Sequence, residues 1–156
     1  MLNQATMNRL HEMHFTAMAD TYREQAENPS QKELSFDEWF GLMVDAEWNR
    51  RHSNHIARLV KKATLSFPNA CPEDIEYHSD RKLNRGQLTE LASCRYIIEH
   101  RNVILMGATG AGKTYLGCAL GIAACRSLYS VKYIRLPDLL NEIAVARGEG
   151  CYMDLM

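Results

Sequence analysis

The residues with the clearest chemical capacity stand together at Gly107-Ala108-Thr109-Gly110-Ala111-Gly112-Lys113-Thr114, which follows the spacing G-x-x-x-x-G-K-[ST] of a Walker A loop. Each residue type has a reason to be where it is. Gly107, Gly110 and Gly112 permit backbone angles that a side chain forbids, so successive N–H groups can turn inward and cradle an anion. A helix beginning near Lys113 aims its positive end at the same point. Lys113 can reach the β- and γ-phosphates of a nucleotide as a point charge, and the Thr114 hydroxyl can ligate Mg²⁺. The chemistry is therefore binding of a nucleoside triphosphate, with ATP and Mg²⁺ as the expected cofactors and all eight residues as phosphate ligands.

A loop of this kind needs a strand before it and a helix after it. Asn102-Val103-Ile104-Leu105-Met106 is a short apolar run with β-branched residues and reads as a buried strand. Tyr115 to Arg126 is helix-compatible, with Leu116, Leu120, Ala123 and Ala124 inward. Val131 to Arg135 reads as a second strand. A further helix follows, with Pro137 in its first turn and Gly148-Glu149-Gly150 at its end. Strand, helix, strand, helix predicts a parallel sheet. The expected fold is α/β, a helical N-terminal domain followed by an incomplete P-loop NTPase domain with a parallel sheet. The expected division is a helical domain at 1–65, a linker at 66–80 and an ATP-binding domain at 81–156. Only 42 residues follow Thr114. None forms an apolar run ending in Asp or Glu, and Asp154 follows too short a run to supply a second Mg²⁺ ligand. The pattern predicts a chain that stops part-way through such a domain, and binding is expected more than hydrolysis.

The N-terminal part reads as helical. Leu10, Met13, Ala17, Met18 and Tyr22 place one helix over about 2–26, broken at Asn28-Pro29-Ser30. Ser35 and Glu38 form a capping box that opens a second helix, on which Phe36, Trp39, Phe40 and Met43 make an apolar stripe that continues through Trp48, Ile56, Leu59 and Ala63. Residues 66–80 contain Pro68 and Pro72 and read as a connection with a short extended piece near Ile75–Tyr77. Ile75 and Tyr77 stand where an adenine could stack, or serve only as core. Leu83, Leu88, Leu91 and Ala92 suggest one more helix.

Composition bounds the class. The chain has 156 residues, 46% hydrophobic and 24% charged, with a net charge of −1. This is a globular composition without a global basic field. Charge is nonetheless uneven. Residues 1–48 hold nine acids against three bases, whereas 49–65 hold five bases and no acid. Within that basic stretch Arg51, His55, Arg58 and Lys62 recur at helical spacing. They are either a face that grips DNA phosphates without base specificity or an ordinary solvated face. The histidine pairs His11/His14 and His52/His55 lack a completing Cys or carboxylate set for zinc. Five scattered cysteines without a C-x-x-C pair fit reduced thiols, and Cys118 and Cys125 share a face as small core residues. The N-terminus has neither a basic segment nor an apolar run of signal type. The expectation is a cytoplasmic protein with no membrane partner.

Beyond the loop, the sequence resembles the IstB-like ATPases, the ATP-dependent transposition helpers of bacterial insertion sequences, and their helicase-loader relatives. The resemblance lies in Glu33-Leu34-Ser35-Phe36-Asp37-Glu38 and in Glu47-Trp48 with the basic stretch that follows. It continues through Asn102 to Gly107, Gly112-Lys113-Thr114, Ala119-Leu120-Gly121, Ala123-Ala124-Cys125, Asp138-Leu139-Leu140 and Ala146 to Gly150. It implies that the P-loop domain is of AAA+ type, with ATP binding, action on DNA together with a transposase, and homo-oligomers of a full-length form. Nothing after Thr114 matches the later ATPase motifs. Two rival readings are a non-catalytic helical module that binds DNA or a partner beside a vestigial loop, and a small P-loop kinase.

Overall fold

The computed structural model describes residues 4–27, 34–77 and 83–150. The expected break at Asn28-Pro29-Ser30, the matched Glu33, Cys151 and Asp154 lie outside them. The described residues form helices α1 (Gln4–Glu12), α2 (Thr16–Glu27), α3 (Phe36–Lys62), α4 (Arg85–Ala92), α5 (Arg95–Ile98), α6 (Lys113–Arg126) and α7 (Leu136–Glu149), with a 3₁₀ turn at Pro72–Asp74. They fall into two compact units, 1–55 and 56–156.

In the first unit the expected single helix is two. The chain reverses at His14, which adopts φ 61°. The Phe15 N–H donates to the Leu10 carbonyl at 2.8 Å and the His14 N–H to that of His11 at 2.9 Å. This pair of bonds is a Schellman closure, built on a residue other than glycine. α2 then starts with its N-terminus aimed at α3. Glu47, only 4% exposed, accepts from the backbone N–H groups of Ala17 at 3.0 Å and Met18 at 3.4 Å. It also accepts from Arg50 at 2.7 Å and Arg51 at 2.8 Å. A carboxylate of one helix thus caps another and neutralises its dipole. Burial by itself would raise the Glu47 carboxyl. The hydrogen bonds from Arg50, Arg51 and the Met18 N–H outweigh it and bring the pKa to about 2.

α3 opens as its capping box predicts. The Ser35 N–H donates to the Glu38 carboxylate at 2.9 Å, and the Glu38 N–H donates to Ser35 Oγ at 3.3 Å. The apolar stripe behaves differently from expectation. Met43 is buried and Trp39 packs edge-on against Tyr22, but Phe36, Phe40 and Trp48 are exposed.

The second unit is organised around α6, whose Leu116, Cys118, Ala119, Ile122 and Cys125 enter one core with Ala63, Leu65, Ala70, Ile75 and Leu88. Cys118 and Cys125 are fully buried, as small core residues should be. The small side chains let neighbours approach closely. A Cβ added at Gly121 would come within 3.2 Å of Leu65 Cδ2.

The parallel α/β architecture expected for this unit is overturned, because the described residues contain no strand. Residues 102–106 run without helical bonds and are exposed except at Leu105. Leu105 packs on the core, while Ile104 and Met106 are 78% and 89% exposed. Among the described residues no backbone hydrogen bond joins this run to 131–135. The second run is tied instead to the turn that ends α3. The Tyr133 N–H donates to the Ala63 carbonyl at 2.9 Å, and Thr64 Oγ1 donates to the Tyr133 carbonyl at 3.3 Å. The physical reason is simple. Branched apolar residues favour extended backbone, but a strand exists only where a second backbone completes the ladder.

Candidate nucleotide-binding site

The loop 107–112 leads straight into α6, and two of its glycines do what the spacing demanded. Gly110 has φ 80° and Gly112 has φ 83°, both left-handed. Gly112 is the residue before the first turn of α6, and no side chain caps that helix. The first N–H groups of a helix have no partner within it. Here the left-handed glycine leads the loop directly into the first turn of α6. Nothing lies within 4 Å of a Cβ built at Gly110, so its glycine is required by backbone angle and not by crowding.

Lys113 is half-buried and folds back over the loop. Its ammonium donates to the carbonyl oxygens of Gly107 at 2.8 Å and Ala108 at 2.6 Å. The charge therefore sits over the mouth of the loop, held by neutral carbonyl dipoles that an anionic phosphate can outcompete. Thr114 is exposed on the first turn of α6. Among the described residues no group of three or more His, Cys, Asp or Glu side chains is placed to hold a metal. An ion at Thr114 would accordingly take most of its oxygens from phosphate and water, which suits Mg²⁺.

Beside the loop is an open cavity of about 220 Å³, lined by Asp74, Ile75, Glu76, Leu83, Ala111, Gly112, Tyr115 and Leu116. Ile75 and Leu116 are buried and give it an apolar floor. It is smaller than the roughly 300–1,000 Å³ usual for whole-ligand sites, and so fits one end of a nucleotide. The 3₁₀ turn next to it, Pro72–Asp74, is tied to α6 by an ion pair. Arg126 reaches Glu73 at 3.1 Å and Cys71 Sγ at 3.3 Å. The Cys71 thiol, the Glu73 backbone and Arg126 together hold the Glu73 carboxyl down at about 2. Tyr77 is not part of this cavity. Its ring lies 5.7 Å from the Arg85 guanidinium, on a separate hollow with Pro72 and Thr89. Leu83, Tyr115 and Leu116 were not singled out as site residues by the sequence. Only their nearness in sequence to the loop or to Ile75 could have suggested them.

The four basic residues of α3 are not equivalent. Arg51 is engaged by Glu47, and its guanidinium lies 4.7 Å from the centre of the Phe15 ring. His55, Arg58 and Lys62 are exposed. His14 occupies the turn after α1, and His52 stacks on Trp48 at 4.8 Å.

Comparison with known proteins decides the family. The model of the IstB-like ATP binding protein family matches residues 8–156. The chain belongs to this family. It is 40% identical over 97% of its length to a relative from Pseudomonas fluorescens, named as an ATP-binding protein of insertion sequence IS1162. It is 39% identical over 99% of its length to an insertion-sequence ATP-binding protein, y4pL, of Sinorhizobium fredii. An IS21 ATP-binding protein of Pseudomonas aeruginosa is 29% identical over 94% of the chain. The chain spans 66%, 63% and 54% of the lengths of these three relatives. Among its described residues no helix is long and apolar enough to cross a membrane.

Proposed function

We propose that this IstB-like chain binds ATP through residues 107–114, as a nucleotide-binding component of an insertion sequence's transposition apparatus. The observation that carries the reading is the Lys113 ammonium poised over a loop whose Gly110 and Gly112 are left-handed, at the uncapped start of α6. The backbone N–H groups of the loop and first turn would receive the β-phosphate oxygens, and Lys113 would leave the loop carbonyls to pair with the β- and γ-phosphates. Thr114 would give one oxygen to Mg²⁺, whose role is to neutralise the phosphate charge. The base end would enter the cavity over Ile75 and Leu116, with Tyr115 beside it. Family membership and the relatives' names support ATP as the nucleotide. Their insertion-sequence context favours a transposase and DNA as partners. His55, Arg58 and Lys62, all exposed on α3, are candidates for DNA backbone contacts, as is Arg51 beside its bond to Glu47.

Competition against a fluorescent ATP analogue tests the reading. ATP and ADP, which carry the β-phosphate, should displace the probe. AMP should do so only weakly. Equal displacement by AMP would remove the loop from the site.

A further inference from the structure

The cavity beside the loop borrows part of its lining from a turn that burial does not hold in place. None of Pro72, Glu73 and Asp74 is buried. The turn stands between two hollows. Asp74 lines the cavity beside the loop, whereas Pro72 and Glu73 line the separate hollow with Tyr77. A short 3₁₀ turn has few bonds of its own, and their geometry is poor. Here the Asp74 N–H donates to the Cys71 carbonyl at 3.2 Å and the Ile75 N–H to that of Pro72 at 3.5 Å.

Two long side chains of α6 tie this turn down. Tyr115 and Arg126 stand eleven residues apart, close to three full turns, and so share one face of the helix. Both reach Cys71. The Cys71 N–H donates to the Tyr115 hydroxyl at 3.5 Å. Arg126 Nη2 donates to Cys71 Sγ at 3.3 Å, and its Nη1 donates to both carboxylate oxygens of Glu73 at 3.1 Å. The Cys71 thiol itself donates to Glu73. One planar guanidinium therefore holds two residues of the segment, a contact that sets direction as well as distance. Glu73 and Arg126 are 67% and 47% exposed, so the pair adds little to global stability. Neither residue lines the cavity beside the loop. We propose that Arg126 and Glu73 are positioning residues for nucleotide selectivity. Their clasp holds Asp74 and Ile75 at a set place relative to the start of α6, so that base and ribose add to the affinity supplied by the phosphates. The proposal rests on the reading of 107–114 as the phosphate site. A wall held in place before the ligand arrives spares the ordering that binding would otherwise cost.

Calorimetric titration of the full chain with ATP and with inorganic triphosphate, both with Mg²⁺, tests the proposal. The parent should bind ATP more tightly than triphosphate. Arg126→Ala and Glu73→Gln should each weaken ATP about three- to tenfold, the scale of one or two lost hydrogen bonds, and leave triphosphate within about twofold. The two variants change the net charge in opposite directions, so a common loss is not an effect of charge. Damage to α6 or to the loop would move both ligands together. Glu73→Arg combined with Arg126→Glu rebuilds the pair in reverse and should bind ATP more tightly than either exchange alone. Variants that keep the parent's affinity for ATP, or that lose ATP and triphosphate equally, would overturn the proposal. So would a double exchange no better than the single ones. A parent that binds triphosphate as tightly as ATP would take the base out of the cavity and the proposal with it, while the phosphate loop stands. A parent that binds neither ligand would overturn the phosphate loop itself, and with it the proposal.

Discussion

Glu47 gives the sharpest quantitative prediction. Its carboxylate is 4% exposed and sits between two guanidinium groups and the N-terminus of α2. A pKa brought from 4.5 to about 2 means that the ionised form is favoured by roughly 3 kcal/mol over the neutral one, at about 1.4 kcal/mol per pH unit. Arg50 and Arg51 are 37% and 54% exposed, so solvent screens part of that. Glu47→Gln keeps the shape and one acceptor oxygen but removes the charge, and should cost about 1.5–3 kcal/mol. Glu47→Ala also strips the cap from Ala17 and Met18, adding about 1 kcal/mol or more. The chain's two tryptophans, Trp39 and Trp48, both lie in the first unit. Their fluorescence during urea unfolding therefore reports that unit. The sign of the pH dependence is fixed. A depressed carboxylate pKa contributes stability above the unfolded value of 4.5, and that contribution is lost as pH falls toward 2. Glu47→Gln should flatten the stability profile in this window and leave it unchanged in shape near neutrality. A cost below about 0.5 kcal/mol, the level of an ordinary surface change, would refute the buried-cap account. So would an unchanged acid slope.

Three further outcomes follow from the second unit. Gly112→Ala places a side chain at φ 83°, a strain of about 1–2 kcal/mol. It should weaken nucleotide binding about tenfold or more in a fluorescence titration without unfolding α6. Gly121→Val overfills the contact with Leu65, where even a Cβ meets Cδ2 at 3.2 Å, and should lower stability by about 1–3 kcal/mol in denaturant titration. Among the described cysteines, Cys71 is half-buried while Cys94, Cys118 and Cys125 are buried, and burial pushes the Cys125 thiol up. Thiol labelling under native conditions, mapped by mass spectrometry, should therefore modify Cys71 before Cys94, Cys118 and Cys125.

What the sequence made legible was local. The glycine order of the loop, the start of α6 and the Ser35–Glu38 cap each depend on a few adjacent residues, and the structure has the glycine angles, the helix and the cap bonds where the residues predict them. The strands were misread because the branched apolar run at 102–106 states a preference for extended backbone and says nothing of a partner. Pairing is a non-local property. The reversal at His14 was hidden because its left-handed angle falls on a residue that is not glycine. Glu47 stood out in the sequence only as part of the family match, and only the arrival of the α2 N-terminus makes it a buried cap. The cavity beside the loop draws on residues from 74 to 116, a separation that no spacing rule spans.

The central claim is that the loop at 107–114 holds the phosphates of ATP, with Lys113 as the principal charge. The measurement that tests it most directly is calorimetric titration of the 156-residue chain with ATP and Mg²⁺, beside Lys113→Ala, with circular dichroism on both. Saturable binding in the parent, reduced at least about a hundredfold in the variant (some 2.7 kcal/mol for a lost charge-assisted contact) at equal helical content, is the predicted result. Equal affinity in the two proteins would contradict the assignment of the loop.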